Sequence, residues 1–370
     1  SNACTITLPA SASNGDEIIF TDYARTWGTN GIVIDSNGLN YQGDDDTFDV
    51  EYTTDGQSVH IVYSDATNGW IPISDDVVAD VPFKTTTNDN GIFGYGWDGS
   101  VQSMSNLVSN VGVVASDVTG VGTARYYLAA TEYGGDKGIF GYGTTGSNVS
   151  MTNLVSNAGV VGTDVVGVGS ARNGPAACEY GVDKGIFGYG TTGSLVSITN
   201  LVSNAGVVGT DVTGVGTVRA FLAACEYGGD KGIFSYGETT TSVSMSNLVS
   251  NAGVVATDTT GVGTARTRLG GCSYGSDKGI FGYGVPGTGV LSMTNLVTNA
   301  GVVGTDVTGV GTARETLAAC EYGGDKAIFG YGHDGSYQSM TNLVSNAGVV
   351  ATDTTGVGTA RKSSAACSYN

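Results

Sequence analysis

The sequence predicts an all-β protein in which a six-bladed β-propeller follows a small all-β module. Three observations carry this expectation. A block of about 47 residues recurs six times across residues 91–370, the length of one propeller blade. Each copy divides into short runs rich in Val, Thr, Ile and Tyr and punctuated by Gly, a pattern that favours strands over helices. The two ends of the array are also complementary, because the last copy supplies a strand that the first copy lacks.

Taken in order, Ser1, Asn2 and Ala3 read as a cloning scar. Residues 4–75 do not repeat and predict short strands at 5–8, 17–22, 31–35, 48–52, 58–63 and 70–73. Turn signals such as Asn14-Gly15-Asp16 and Ser36-Asn37-Gly38 separate them. Residues 76–90 read as a linker. The repeat then opens at Gly91 with GIFGYG and returns at Gly138, Gly185, Gly232, Gly279 and Ala327. Four strands are expected per unit, for example 176–180, 185–189, 196–202 and 206–211. Copy one lacks the strand before GIFGYG. The chain ends on that missing strand, Ala365-Ala366-Cys367-Ser368-Tyr369, which is expected to close the ring.

Composition narrows the function. Asp and Glu number 34 against 15 Lys and Arg, a net charge of −19. Such a polyanion repels phosphate backbones, so no nucleic acid is expected as partner. No apolar run is long enough for a membrane helix, and no signal peptide is visible. Gly accounts for 61 of 370 residues without recurring every third position, which excludes collagen.

Apparent catalytic motifs lack their structural context. Gly94-Tyr95-Gly96-Trp97-Asp98-Gly99 fits GxGxxG, and Gly271-Cys272-Ser273-Tyr274-Gly275 fits GxSxG. Both motifs need a following helix, and strands are expected instead. Neither an enzyme activity nor a cofactor is expected, and with two histidines in different regions no zinc cluster is. Cys178, Cys225, Cys272, Cys320 and Cys367 share one repeat position with Thr131, as a small side chain on a crowded inner strand would. Glu132, Glu179, Glu226 and Glu321 align as a solvated channel mouth or an acidic ring around a cation. Asp117, Asp164, Asp211, Asp258, Asp306 and Asp353 fit Asx turns, with calcium as the alternative. Arg125, Arg172, Arg219, Arg266, Arg314 and Arg361 suit clamps between blades. The run Asp44-Asp45-Asp46 reads as an exposed loop.

The order Arg, Ala-Ala-Cys-Glu-Tyr-Gly, Lys-Gly-Ile-Phe-Gly-Tyr-Gly, Ser-Met-Thr-Asn-Leu resembles the kelch-type propeller repeat. It departs from that pattern at Gly141-Tyr142-Gly143, where a glycine doublet is usual, and at Val160-Val161, where Trp is. The repeat wording is also similar to that of bacteriophage tail-fibre and related virion proteins. Residues 4–75 resemble a small all-β module of phage fibres and virion appendages. These resemblances imply a tail fibre or surface appendage of a virion, other virion proteins as partners, and a homotrimer formed through the N-terminal module.

Positions that differ between copies mark the expected site. One variable segment follows Gly-Tyr-Gly and the other follows the repeated Arg. In a propeller they emerge on one face. Trp97, Asp98, Tyr126, Tyr127, Phe221, His333, Asp334 and Tyr337 are the expected ligand-binding residues. Aromatic faces beside carboxylates suit a sugar; drift in unconstrained loops is the alternative. The function expected is an adhesin that recognises a host-surface glycan or receptor. The alternatives are a structural or protein-docking propeller of a virion or surface assembly and, behind both, a polysaccharide-degrading enzyme.

Overall fold

The computed structural model describes residues 4–46, 50–77 and 89–370, and among them it contains strands, turns and isolated bridges but no helix. The chain divides into two units, Ser1–Thr85 and Thr86–Asn370. Most of the linker expected at 76–90 lies outside the described residues.

In the first unit β1 (Cys4–Thr7), β3 (Ile32–Asp35) and β4 (Val50–Tyr52) form one sheet, with β1 parallel to β3. The second sheet holds β2 (Glu17–Thr21), β5 (Gln57–Asp65) and β6 (Gly69–Val77), all antiparallel. Residues 48 and 49 of the strand expected at 48–52 lie outside the described residues. The alternation along β5 buries Val59, Ile61 and Tyr63, the period of a strand with one face on a core. Ile32, Ile34, Tyr41 and Trp70 complete that core. The Asp22 carboxylate accepts the backbone N–H groups of Thr26, Trp27 and Gly56, tying three loop positions together. Asp44, Asp45 and Asp46 are exposed, as expected.

The second unit contains six three-stranded antiparallel sheets. In a representative sheet Ala176–Tyr180 pairs with Lys184–Gly188, which pairs with Thr199–Val202. The middle strand is buried on both faces; Ile186 and Phe187 are fully enclosed, each contributing about 2–3 kcal/mol of burial. Hydrophobic clusters form between sheets rather than within them. Ile186 and Tyr189, for example, pack with Leu222, Phe234 and Val249 of the next sheet. The Tyr189 and Phe234 rings meet edge to face at 5.2 Å. A Cβ at Gly188 would lie 2.7 Å from Phe234, so the neighbouring ring favours glycine there; where copy four carries Ser235 the Tyr236 and Phe281 rings stand 5.6 Å apart.

The sixth sheet joins the ends of the unit. The C-terminal strand Ala365–Tyr369 pairs with Asn90–Trp97, setting Ala366 beside Phe93. The first strands of the sheets touch in succession, and the succession returns from Ala365–Tyr369 to Ala129–Tyr133. Two cycles of backbone hydrogen bonds follow the same path. In one, the N–H groups of Tyr127, Gly174, Phe221, Arg268, Thr316 and Ser363 donate to the carbonyls of Ser363, Tyr127, Gly174, Phe221, Arg268 and Thr316. In the other, Gly134, Gly181, Gly228, Gly275, Gly323 and Asn370 donate to Asp183, Asp230, Asp277, Asp325, Asp89 and Asp136.

The fourth strand expected at 206–211 is not a strand. Val208 and Val212 make isolated bridges to Val202 and Thr199. The reason is the side chain of Asn200, whose amide donates to the Gly209 carbonyl and to Asp211 in place of a regular ladder. Asp211 in turn does not close an Asx turn. Its carboxylate accepts the backbone N–H and the hydroxyl of Ser170 from the preceding copy. Asp117 does the same with Thr359 across the chain ends. The expected Asx turns are thus staples between sheets.

The arginines clamp as expected. Arg219 is fully buried; its Nε donates to the Tyr236 carbonyl, its Nη2 to Asn247, and its guanidinium lies 4.2 Å from the Tyr189 ring centre.

Candidate functional site

Bridges join the two variable segments. The residue after each Arg faces the residue after Gly-Tyr-Gly: Tyr126 with Thr144, Ala220 with Glu238, Glu315 with His333, and Lys362 with Trp97. Each tyrosine of Gly-Tyr-Gly adopts a positive φ, 62° at Tyr95 and at Tyr331, a conformation uncommon for a bulky residue. The strand register shifts there, which aims the following residues, Trp97 and His333, toward the segments after the arginines. In four copies the buried Arg holds the kink by donating to the tyrosine carbonyl: Arg125 to Tyr142, Arg219 to Tyr236, Arg314 to Tyr331, and Arg361 to Tyr95 at 2.8 Å.

On this framework the expected aromatic residues form a continuous arc. Ring centres are 5.1 Å apart for Trp97 and Tyr126, 4.9 Å for Tyr126 and Tyr127, and 4.8 Å for Tyr127 and Phe221. The arc continues through residues absent from the sequence-based expectation. Arg268 lies 5.5 Å over Phe221 and pairs with Glu315 at 3.2 Å. Glu315 is 3.7 Å from His333, whose ring is 5.7 Å from Tyr337. Tyr337 accepts a hydrogen bond from the Trp97 indole N–H at 3.2 Å, which returns the arc to its start. Trp97, Tyr126, Tyr127, Phe221, His333 and Tyr337 are half-buried, so each keeps surface for a ligand.

Asp98 and Asp334 are engaged locally. Asp98 accepts from Ser100 and Gln102, and Asp334 from Ser336 and Gln338. Burial pushes both carboxyls up, but the hydrogen bonds from Gln102 and Ser100 to one, and from Gln338 and Ser336 to the other, together outweigh it and hold them below the usual carboxylate range. They shape their loops as anions.

Within the arc lies a pocket of about 80 Å³. The six residues of the first hydrogen-bond cycle line it, together with Leu128, Pro175, Leu222, Leu269, Leu317 and Ser364. Arg268, Ser363 and Ser364 were not among the expected site residues. Arg268 and Ser363 share the repeat column of Tyr127, which turns polar in copies four to six, whereas Ser364 is the one polar residue in the column of Leu128.

The other end of the inner strands encloses a narrower cavity of about 40 Å³, lined by Glu132, Glu179, Glu226, Glu321 and the serine at 273. The four glutamates keep partial exposure, as a channel mouth would, but they are crowded together. Burial, then mutual repulsion, pushes Glu179 and Glu226 well up, and Glu321 is pushed up to about 8. Among the described residues no group of three or more His, Cys, Asp or Glu is arranged to hold a metal ion. The five cysteines of the repeat are buried and free, and burial pushes the thiols of Cys225 and Cys272 well above the ordinary range. Sγ of Cys178 fills a notch left by Gly232 of another sheet, the packing role expected.

No protein-family model matches the chain, and comparison with curated proteins returns no match.

Proposed function

We propose that residues 91–370 form a closed six-bladed β-propeller and that the protein is a tail-fibre-like adhesin of a bacteriophage virion, recognising a host-surface glycan through the face that carries Trp97 and Tyr126. The aromatic arc Trp97–Tyr126–Tyr127–Phe221 carries this reading. These rings stand at positions the repeat leaves free to vary, and their faces stack against sugar C–H groups while neighbouring polar side chains meet hydroxyls. Propeller closure draws support from the two hydrogen-bond cycles and from the pairing of the C-terminal strand with Asn90–Trp97.

A second reading is docking within a virion. Val113, Val160, Val207, Val254, Val302 and Val349 recur once per copy and are all more than half exposed. Identical exposed apolar positions suit contact with another virion protein better than selective recognition of a glycan. A homotrimer through the N-terminal module belongs to the same proposal and rests on resemblance.

A glycan and whole-cell binding screen with the full chain tests the first reading. The Trp97→Ala, Tyr126→Ala double variant is expected to bind host cells about tenfold more weakly. Unchanged binding would move the site off this face.

A further inference from the structure

The pocket inside the arc departs from the repeat at one point. Five copies place Leu or Pro after the residue of the hydrogen-bond cycle: Leu128, Pro175, Leu222, Leu269 and Leu317. The sixth places Ser364 there. Ser364 is 8% exposed, and its hydroxyl has no hydrogen-bond partner. Arg268, on the same pocket, has an enclosed Nε with no partner either. Buried donors of this kind take a partner from whatever occupies the space beside them.

The lining selects among occupants. Arg268 is charge-matched by Glu315 at 3.2 Å, so the pocket offers N–H donors without a net positive charge. The chain as a whole carries −19, which disfavours an anion. Tyr127 and Phe221 supply an aromatic wall, and the leucine row supplies an apolar base. A ring with an apolar face and a hydroxyl edge meets both surfaces at once, which water alone does not. The free space of about 80 Å³ is well below that of an enclosing ligand site, so only the end of one ring enters it, the rest of the ring staying at the open rim, and a polymer has no room to run through.

We infer that this pocket is the subsite for the terminal, uncharged sugar ring of a glycan, entered end-on, with Ser364 and Arg268 Nε as its hydrogen-bonding groups and Tyr127 and Phe221 as its stacking wall. The inference rests on the glycan reading of this face and adds the ligand's charge class and its end-on approach.

Saturation-transfer NMR on the full chain tests it, with methyl glycosides of neutral hexoses and N-acetylhexosamines as probes and the matching methyl uronosides beside them. Ser364→Leu rebuilds the residue that four of the other copies carry and refills the pocket; thermal unfolding checks its fold, and Ser364→Ala removes the hydroxyl alone if the larger change disturbs it. The expected result is binding of a neutral methyl glycoside that weakens tenfold or more in Ser364→Leu and in Arg268→Met, with host-cell binding falling in parallel. Host-glycan binding that both Ser364 variants leave intact would overturn the subsite and spare the glycan reading. Preference for uronosides would overturn the charge class. A wild-type chain that binds no glycan and no cell would overturn both.

Discussion

The carboxyl of Glu321 shows how far a crowded cavity displaces a single group. Burial and the neighbouring Glu132 push it up to about 8, and burial raises Glu132, Glu179 and Glu226 beside it. The folded chain therefore holds these protons to higher pH than the unfolded chain, whose glutamates titrate near 4.5. Below 4.5 both states are protonated and nothing changes. Between 4.5 and about 8 the unfolded state ionises first, so stability falls as pH rises. The stapling aspartates act in the opposite sense. Burial raises Asp164, but hydrogen bonds from Thr123 and Asn153 prevail and lower it from 3.8, so its contribution is lost as pH falls below that value. Thermal unfolding scanned over pH should give the highest Tm near pH 4.5 and a decline as pH rises towards about 8. Glu321→Gln should flatten that decline and leave the acid limb alone. A wild-type Tm constant between pH 4.5 and about 8 would show that these carboxyls ionise freely in the folded chain.

At the scale of the strand, the repeat is held by notches that one side chain cuts into another sheet. A Cβ added to Gly232 would lie 2.5 Å from Sγ of Cys178, too close for either to stay in place. Gly232→Ala should cost about 1–3 kcal/mol, read as a lower Tm. Adding Cys178→Ala removes the obstructing sulfur, so the double variant should unfold at a higher temperature than Gly232→Ala alone. Equal Tm values would mean that the two residues do not share the notch. Much of this layer is legible in the sequence. The inner strand Ala176–Tyr180 has its expected bounds. The middle strand ends at Gly188, one residue before the expected end, because Tyr189 turns to φ 63°. The outer edge was misread because spacing cannot show that Asn200 would replace ladder bonds with side-chain bonds. At the site, variation among copies revealed Trp97, Tyr126 and Tyr127. Ser364 stayed hidden because a serine within Ser-Ser-Ala carries no chemical signal until the leucines of its column and the pocket they line are known.

For the second unit as a whole, the contacts that matter most join residues far apart in sequence. Ala365–Tyr369 pairs with Asn90–Trp97, Asp117 accepts from Thr359, and Phe93 meets Tyr331 edge to face at 5.1 Å. All three interactions span more than two hundred residues, so they carry a loop-closure cost that the packing of the joined sheets must offset. The C-terminal strand is therefore the element on which the circuit depends. Removing residues 365–370 leaves Asn90–Trp97 with an unpaired edge and opens the cavity lined by Glu132 and Glu179. An exposed edge of this kind recruits a strand from another molecule. The truncated chain should lose at least 10 °C in Tm, a shift on the scale of several kcal/mol for a unit of this size. It should also associate with itself in light scattering, and a synthetic peptide of residues 364–370 added in excess should reverse the association. A truncated chain that stays monomeric with the parent Tm would show that the six sheets stand without closure, and the propeller proposal would fail with it.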